Sequence, residues 1–212
     1  MEFDEVLRRR RMVRHFTDEP VSDADLDRLL WAAQRSPSAG FTQGYSFLVL
    51  RTPEERARFW TTSSWVPPDA AAAERAERMQ QAPLLIVPMC SEAAYLARYS
   101  EPDKTRPGIP SMSDAASWAV PYWFVDAAFA AMLIQLEAVN LNLAVLFMGV
   151  VPDMLPAFRE AFGVPDEYQP IGVIHVGHRH PDVQPNYRSD RLKPREEVVF
   201  YGAWGETRPP GM

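Results

Sequence analysis

Three short stretches carry side chains whose types and spacing suit the grip of a planar, phosphorylated ligand. The first is Arg10-Arg11-Met12-Val13-Arg14-His15-Phe16, where residues two apart in extended chain point the same way, so Arg10, Met12 and Arg14 share one side. The second is Ser36-Pro37-Ser38-Ala39-Gly40-Phe41-Thr42-Gln43-Gly44-Tyr45. Its small residues permit close approach of a flat ring, and Gln43 can donate and accept at one edge. The third is the basic pair Arg191 and Lys193 near the C-terminus. A guanidinium fork matches two phosphate oxygens, so cations converging from both ends of the chain would hold a phosphorylated cofactor.

Other candidates read more simply. Arg8 to Arg11 could be a solvated basic face, but the Val-Arg-His-Phe that follows and the basic pair near the C-terminus favour anion binding. His175 and His178 fall on opposite faces of a strand, with no carboxylate or cysteine spaced to complete a site, so these and His180 are expected as strand-end histidines and no metal is expected. Cys90, the single cysteine, ends the apolar run Pro83–Cys90 and reads as a small core residue. Asp126, in an apolar helix, reads as a buried cap or dimer-contact carboxylate ahead of a general acid. Trp118, Tyr122, Trp123 and Phe124 divide evenly between core and one wall of a substrate pocket, a role that Tyr122 suits best.

The elements that must position these groups follow from period and punctuation. Phe3, Val6 and Leu7 predict a short helix ending near Arg11. Ser22 with Asp25 is a capping-box signature for a helix presenting Leu26, Leu29, Leu30 and Ala33, stopped at Ser36–Pro37. Strands are predicted over Tyr45–Leu50, Leu84–Met89, Leu143–Met148 and Ile171–Gly177, and helices after Thr52–Pro53, over Ala70–Gln81 and over Asp153–Phe162, with Gly163 as the last one's stop. Trp118–Leu141 reads as a long helix apolar nearly all round, at the centre of the molecule or in a subunit interface. Residues 98–117 read as a long loop with the composition of a lid, and residues 181–212 as an extended arm whose Val198, Val199, Phe200, Tyr201 and Trp204 need a surface to lie on. No G-x-G-x-x-G follows a strand, so a Rossmann dinucleotide site is unsupported.

Composition narrows the function classes. The chain has 212 residues, 47% hydrophobic and 24% charged, which is ordinary for a globular protein and is read here as one domain over residues 1–212. Its 22 basic and 28 acidic side chains leave a net charge of −6, which argues against nucleic acid and anionic lipid as partners. Residues 1–30 hold no apolar signal core, and the most apolar stretch, 127–151, is broken by Gln135, Glu137, Asn140 and Asn142. A cytoplasmic protein, not a membrane-spanning one, is expected.

In the order and spacing of its motifs the chain resembles the nitroreductase family of flavin-mononucleotide (FMN) oxidoreductases. Arg-Arg-Met-Val-Arg-His-Phe is similar to the family's Arg-Arg-Ser-x-Arg-x-Phe, and Ser36 to Gly40 followed by Gln43 is similar to its Ala-Pro-Ser-Ala-x-Asn-x-Gln-Pro-Trp loop. Asn140-Leu141-Asn142 through Phe147-Met148-Gly149 sits where the family has a Gly-Leu-Gly turn and the strand ending beside the flavin. Residues 191–199 resemble its closing Arg-x-Pro-Leu-Glu-Glu-Val. The resemblance implies an α+β three-layer sandwich, a central mainly antiparallel sheet flanked by helices, in a homodimer that exchanges its C-terminal arms. It also implies FMN bound between subunits and NAD(P)H as electron donor.

Carried over residue by residue, Arg10, Arg11, Arg191 and Lys193 would meet the ribityl phosphate, with Met12 in the same strip. Arg14 would sit by the pyrimidine and favour the reduced ring's negative charge. Pro37, Ser38, Ala39 and Gln43 would lie along the ring system, and the backbone N–H groups of Met148 and Gly149 would face N5. Phe41, Trp118 and Tyr122 would face a small aromatic or conjugated substrate, reduced by ping-pong hydride transfer with no side-chain nucleophile. The departures are Met12 for the family's Ser, Phe41 for its Asn, Gly44-Tyr45 for its Pro-Trp, and Asn140 and Asn142 for two glycines. They leave two alternatives: a flavin- or deazaflavin-binding protein without turnover, and a scaffold kept for non-redox chemistry on the flavin itself.

Overall fold

A computed structural model describes residues 1–62, 67–105, 107–108, 111–182 and 189–207. Helix α1 (Phe3–Arg9) is followed by α2 (Asp23–Ala33), which opens as the sequence predicts. The Ser22 hydroxyl accepts the Asp25 N–H at 3.0 Å and donates to the Asp25 carboxylate at 2.7 Å. Strand β1 (Tyr45–Leu50) leads to α3 (Pro53–Thr61), where Thr52 and Glu55 complete a capping box. Then come α4 (Ala70–Gln80), β2 (Leu84–Cys90), α5 (Glu92–Tyr99) and α6 (Tyr122–Asn140). Strand β3 (Ala144–Met148), α7 (Leu155–Phe162), the two-residue β4 (Gln169–Pro170) and β5 (Val173–Gly177) finish the body.

The sheet runs β1-β2-β5-β3 with β4 beside β2, and every pairing is antiparallel. Leu84 and Ile86 face a core built with α1, α2 and α6, while Leu85 and Val87 face a second built with α3, α4 and α7. This is the expected helix–sheet–helix α+β sandwich. A third, aromatic cluster of Cys90, Tyr95, Trp118, Trp123 and Ala127 closes one end. Cys90 is the core residue expected, and burial pushes its thiol pKa up to about 12. The N-terminal strip closes the sheet on the β3 side: the Val13 N–H donates to the Val145 carbonyl of β3 at 2.9 Å, and past β3 the Thr17 N–H donates to the His178 carbonyl, on the continuation of β5, at 2.9 Å.

Several boundaries differ from expectation. Helix α5 is absent from the pattern reading; it takes Arg98 and Tyr99 from the supposed loop, so irregular chain starts at Ser100. Of that loop, residues 106, 109 and 110 lie outside the described residues, and a lid role is not something the fold displays. Helix α6 begins at Tyr122, not Trp118, because Pro121 holds the N-cap position. Strand β5 begins at Val173, and His175 lies in its middle, not at a strand end. Of the arm, residues 183–188 and 208–212 lie outside the described residues, and 191–198 are exposed. Asn142, standing where the family has glycine, has φ 61, and the next amide, Leu143, donates to the Ala138 carbonyl at 2.8 Å. Asparagine tolerates that left-handed conformation, so the turn survives the exchange.

Helix α6 is long and apolar enough to cross a bilayer, with a mean hydropathy of 1.4, yet half of it is buried inside the fold, against α2 and the sheet. Its outward side shows Phe129 and Met132, and α1 beside it shows Phe3 and Leu7.

His175 is fully buried between the Phe16 and Trp60 rings, and neither imidazole nitrogen has an aligned partner. Burial pushes its pKa down to about 4, against a weaker upward pull from the Leu146 main chain. The unfolded chain, with the ordinary value of 6.5, therefore takes up the proton first as pH falls. The expected outcome is full stability above pH 6.5 and a loss of about 3 kcal/mol in total as pH drops through about 4. Urea unfolding across that range checks it: His175→Leu should flatten the slope, and an unchanged slope refutes the assignment.

Candidate functional site

The alternation predicted for the N-terminal strip divides its side chains. Arg11 and Val13 line a groove of about 450 Å³ with Arg9, Asn142 and Arg179. Arg10, Met12 and Arg14 do not line it. The Arg11 guanidinium donates to the Arg8 and Arg10 carbonyls, each at 2.7 Å, and so braces the bend out of α1. Met12 packs on the second core, as do Met148 and Val150, which explains an apolar residue in place of a hydroxyl. Arg10 is half-buried and Arg14 exposed.

Charge pairing then separates the arginines. Arg8, Arg9, Arg28, Arg51, Arg78 and Arg98 each reach a carboxylate at 2.5–2.8 Å. Among the described residues Arg10, Arg191 and Lys193 have no such partner, and Arg14 makes only a 3.5 Å contact to the Met12 carbonyl. Arg191 and Lys193 lie on the exposed arm, and no described contact brings them to Arg10 or Arg14.

The loop after α2 is held from behind. Asp126, 2% exposed, accepts the Ala39 N–H and the Tyr95 hydroxyl on the same carboxylate oxygen, each at 2.7 Å. The Arg98 Nε donates to the Gly40 carbonyl at 3.0 Å, and the Gln43 N–H donates to the Ser38 hydroxyl at 2.9 Å. Burial, then the Asp126 carboxylate, push the Tyr95 phenol well above its usual range, so it stays a donor. Gly40 has φ 62, and Phe41 and Gln43, neither a glycine, have φ 54 and 52. Phe41 is 78% exposed, and the Gln43 side chain is also exposed, so Ser38 and not Gln43 satisfies the loop backbone. Pro37 is exposed, with Ser38 and Ala39 half-buried.

At the end of β3, Met148 is half-buried and Gly149 exposed, with open space where a Cβ would stand on Gly149. An apolar cavity of about 190 Å³ adjoins them, lined in part by Phe59, Trp60, Met79 and Met154. Of the proposed substrate wall, Trp118 is buried among Tyr95, Tyr99 and Trp123 and spends its indole N–H on the Met112 carbonyl at 2.8 Å. Tyr122, its ring tilted against that of Trp118, remains exposed. Pattern reading named Asp126 but neither Tyr95 nor Arg98. Their signal was the Ser91 cap of α5, whose hydroxyl accepts the Ala94 N–H at 3.2 Å.

The sequence model described as the nitroreductase family matches residues 7–178. An Archaeoglobus fulgidus protein provisionally named NADH dehydrogenase/NAD(P)H nitroreductase is 25% identical over 192 residues, covering 87% of this chain and 90% of that protein. FMN reductase (NADPH) of Bacillus subtilis is 21% identical over 174 residues, covering 82% of this chain and 64% of that protein. A provisionally named nitroreductase from Exiguobacterium sibiricum, solved in complex with FMN, matches with a TM-score of 0.67 at 19% identity, covering 95% of this chain and 97% of that one. That last likeness is one of fold.

The end of β3 is seated by Gly172, where an added Cβ would run into the Phe147 ring and come within 2.6 Å of the Met148 carbonyl. Gly172→Ala is expected to cost about 2 kcal/mol, whereas Gly149→Ala, facing open space, should stay within about 0.5 kcal/mol. Denaturant midpoints of the two variants check the contrast, and equal losses contradict this packing.

Proposed function

The chain belongs to the nitroreductase family, and from that premise we propose that it is an FMN-dependent NAD(P)H oxidoreductase acting on a small, flat, electron-poor organic acceptor such as a nitroaromatic, quinone or enone. The observation that carries the reading is that the cations at the matched motif positions, Arg10, Arg191 and Lys193, have no carboxylate partner among the described residues and Arg14 makes only a 3.5 Å contact to the Met12 carbonyl; Arg35, Arg58 and Arg75 are likewise without a carboxylate partner there, so position in the matched motifs singles these four out. A doubly charged phosphate needs charge-assisted donors, and a guanidinium already held by a carboxylate is a poor one. By chemistry these donors suit the phosphate end of FMN, to which an arm exchanged between two copies would bring Arg191 and Lys193.

In this reading Arg10, Arg191 and Lys193 bind the phosphate and Arg14 lies by the pyrimidine edge. Arg11 supports them from behind, its guanidinium donating to the Arg8 and Arg10 carbonyls and so holding the strip in place. Pro37, Ser38, Ala39 and Gln43 border the ring, and the main chain at Met148 and Gly149 faces its centre. Bound FMN supplies uptake of an electron pair from the nicotinamide donor and its later release to the acceptor. Phe41 and Tyr122, both exposed, take the flat acceptor between aromatic surfaces. The two substrates use one site in turn, which is ping-pong kinetics. A second copy of the chain covers Phe3, Leu7, Phe129 and Met132, and the arm carrying Leu192, Val198 and the 90% exposed Trp204 lies across that copy.

The wild-type protein is expected to purify yellow, to bleach with NADPH under argon and to give parallel double-reciprocal plots. Arg10→Ala and Arg14→Ala should each raise the FMN dissociation constant about tenfold or more. Arg14→Ala should also lower the midpoint potential by about 30 mV, since a cation by the ring favours its reduced, negative form. Colour without bleaching points to the ligand-binding alternative. A colourless monomer indifferent to added FMN sinks the reading.

A further inference from the structure

Resting on that reading of the loop, we infer that Asp126 is a positioning residue: from the core it fixes the conformation of residues 36–44, and through them the affinity for flavin and the placement of the acceptor. The carboxylate is buried on α6 and touches no surface from which a substrate could be reached directly. It is 87 residues from Ala39 in sequence, yet it accepts that amide at 2.7 Å, as an N-cap would at the start of a helix. Tyr95, on α5, donates to the same oxygen and so fixes the carboxylate's rotamer.

The loop between these anchors has little freedom. The Phe41 N–H donates to the Ser38 carbonyl at 2.9 Å and the Thr42 N–H to the Ala39 carbonyl at 3.2 Å. Gly44 packs on the Tyr95 ring so closely that a Cβ there would stand 2.9 Å from Cδ2 of that ring. Arg98 holds the Gly40 carbonyl and is itself held by Asp103 and Glu101 at 2.7 Å. Anchored on both sides of Gly40, the chain turns left-handed at Phe41 and again at Gln43. Left-handed φ is an outlier for a bulky aromatic residue and persists only where the surroundings impose it. The imposed turn leaves the Phe41 ring outside the body, where a flat ligand can be met. Removing the anchor therefore releases a ring-bearing loop without deleting any group that touches ligand.

The test uses purified wild-type protein with Asp126→Ala, Asp126→Asn and Tyr95→Phe. Amide hydrogen exchange of residues 38–43 is measured without flavin, and FMN titration and acceptor KM are measured with it. The amide oxygen of Asp126→Asn can still accept both bonds, so that variant should fold and stay near wild type. Asp126→Ala should exchange at least tenfold faster over 38–43, raise the FMN dissociation constant about tenfold and raise acceptor KM more than it lowers kcat. Tyr95→Phe should fall between them. Unchanged exchange in Asp126→Ala overturns the inference, as does faster exchange with wild-type flavin affinity and acceptor KM. If Asp126→Ala does not fold, Tyr95→Phe decides by the same measurements. A wild type without affinity for FMN sinks the functional reading instead, and exchange alone then decides whether Asp126 holds the loop.

Discussion

A sheet buried on both faces sets the terms for everything around it. β2 and β5 present no residue to water, so their backbone groups must be satisfied by neighbouring strands, and the exposed edge beyond β3 must be covered. The chain meets the second need with its own N-terminal strip. Because Val13, His15 and Thr17 take part in those backbone bonds, the strip cannot slide, and one-residue slippage would turn every side chain to the wrong side. The placement of Arg10 and Arg14 thus follows from closing a sheet.

Electrostatics then decides which cations stay available. At a net charge of −6 the chain has carboxylates to spare, and Glu5 alone serves both Arg8 and Arg9. Exposed pairs of this kind contribute only about 0–1 kcal/mol each. They occupy Arg8 and Arg9, whereas Arg10 and Arg14 have no carboxylate partner among the described residues. A molecule that repels anions at long range can hold one where pairing is locally incomplete, since charges more than about 10 Å away are screened by salt.

Most of the layer structure was legible because it depends on local pattern. Caps at Ser22 and Thr52, the stop at Gly163 and the two-faced apolar run of β2 each lie within a few residues of what they control. Helix α5 escaped because one residue, Ser91, separates it from β2, and an apolar strand running straight into a helix blurs both periods. The facing of Arg10 against Arg11 follows from alternation, but that Arg11 and not Arg10 lines the groove beside Asn142 was not legible in the sequence. The Asp126–Ala39 bond joins an apolar helix to a polar loop and had no signature beyond a carboxylate in an unlikely place.

That carboxylate is poorly explained as a stabilising device. Burying an ionised group costs several kcal/mol, and hydrogen bonds to a charged partner return about 1.5–3 kcal/mol each. Two such bonds to Asp126 roughly offset its desolvation, and left-handed backbone at Phe41 and Gln43 adds about 1–2 kcal/mol apiece to the debit. An alanine-rich helix packed with an apolar residue at this position would hold the two core layers together at least as well. What an apolar residue cannot do is accept the Ala39 amide and so dictate the turn that follows it. The arrangement around Asp126 favours conformation over stability, and the conformation it specifies is that of a loop of small residues carrying the exposed Phe41 ring.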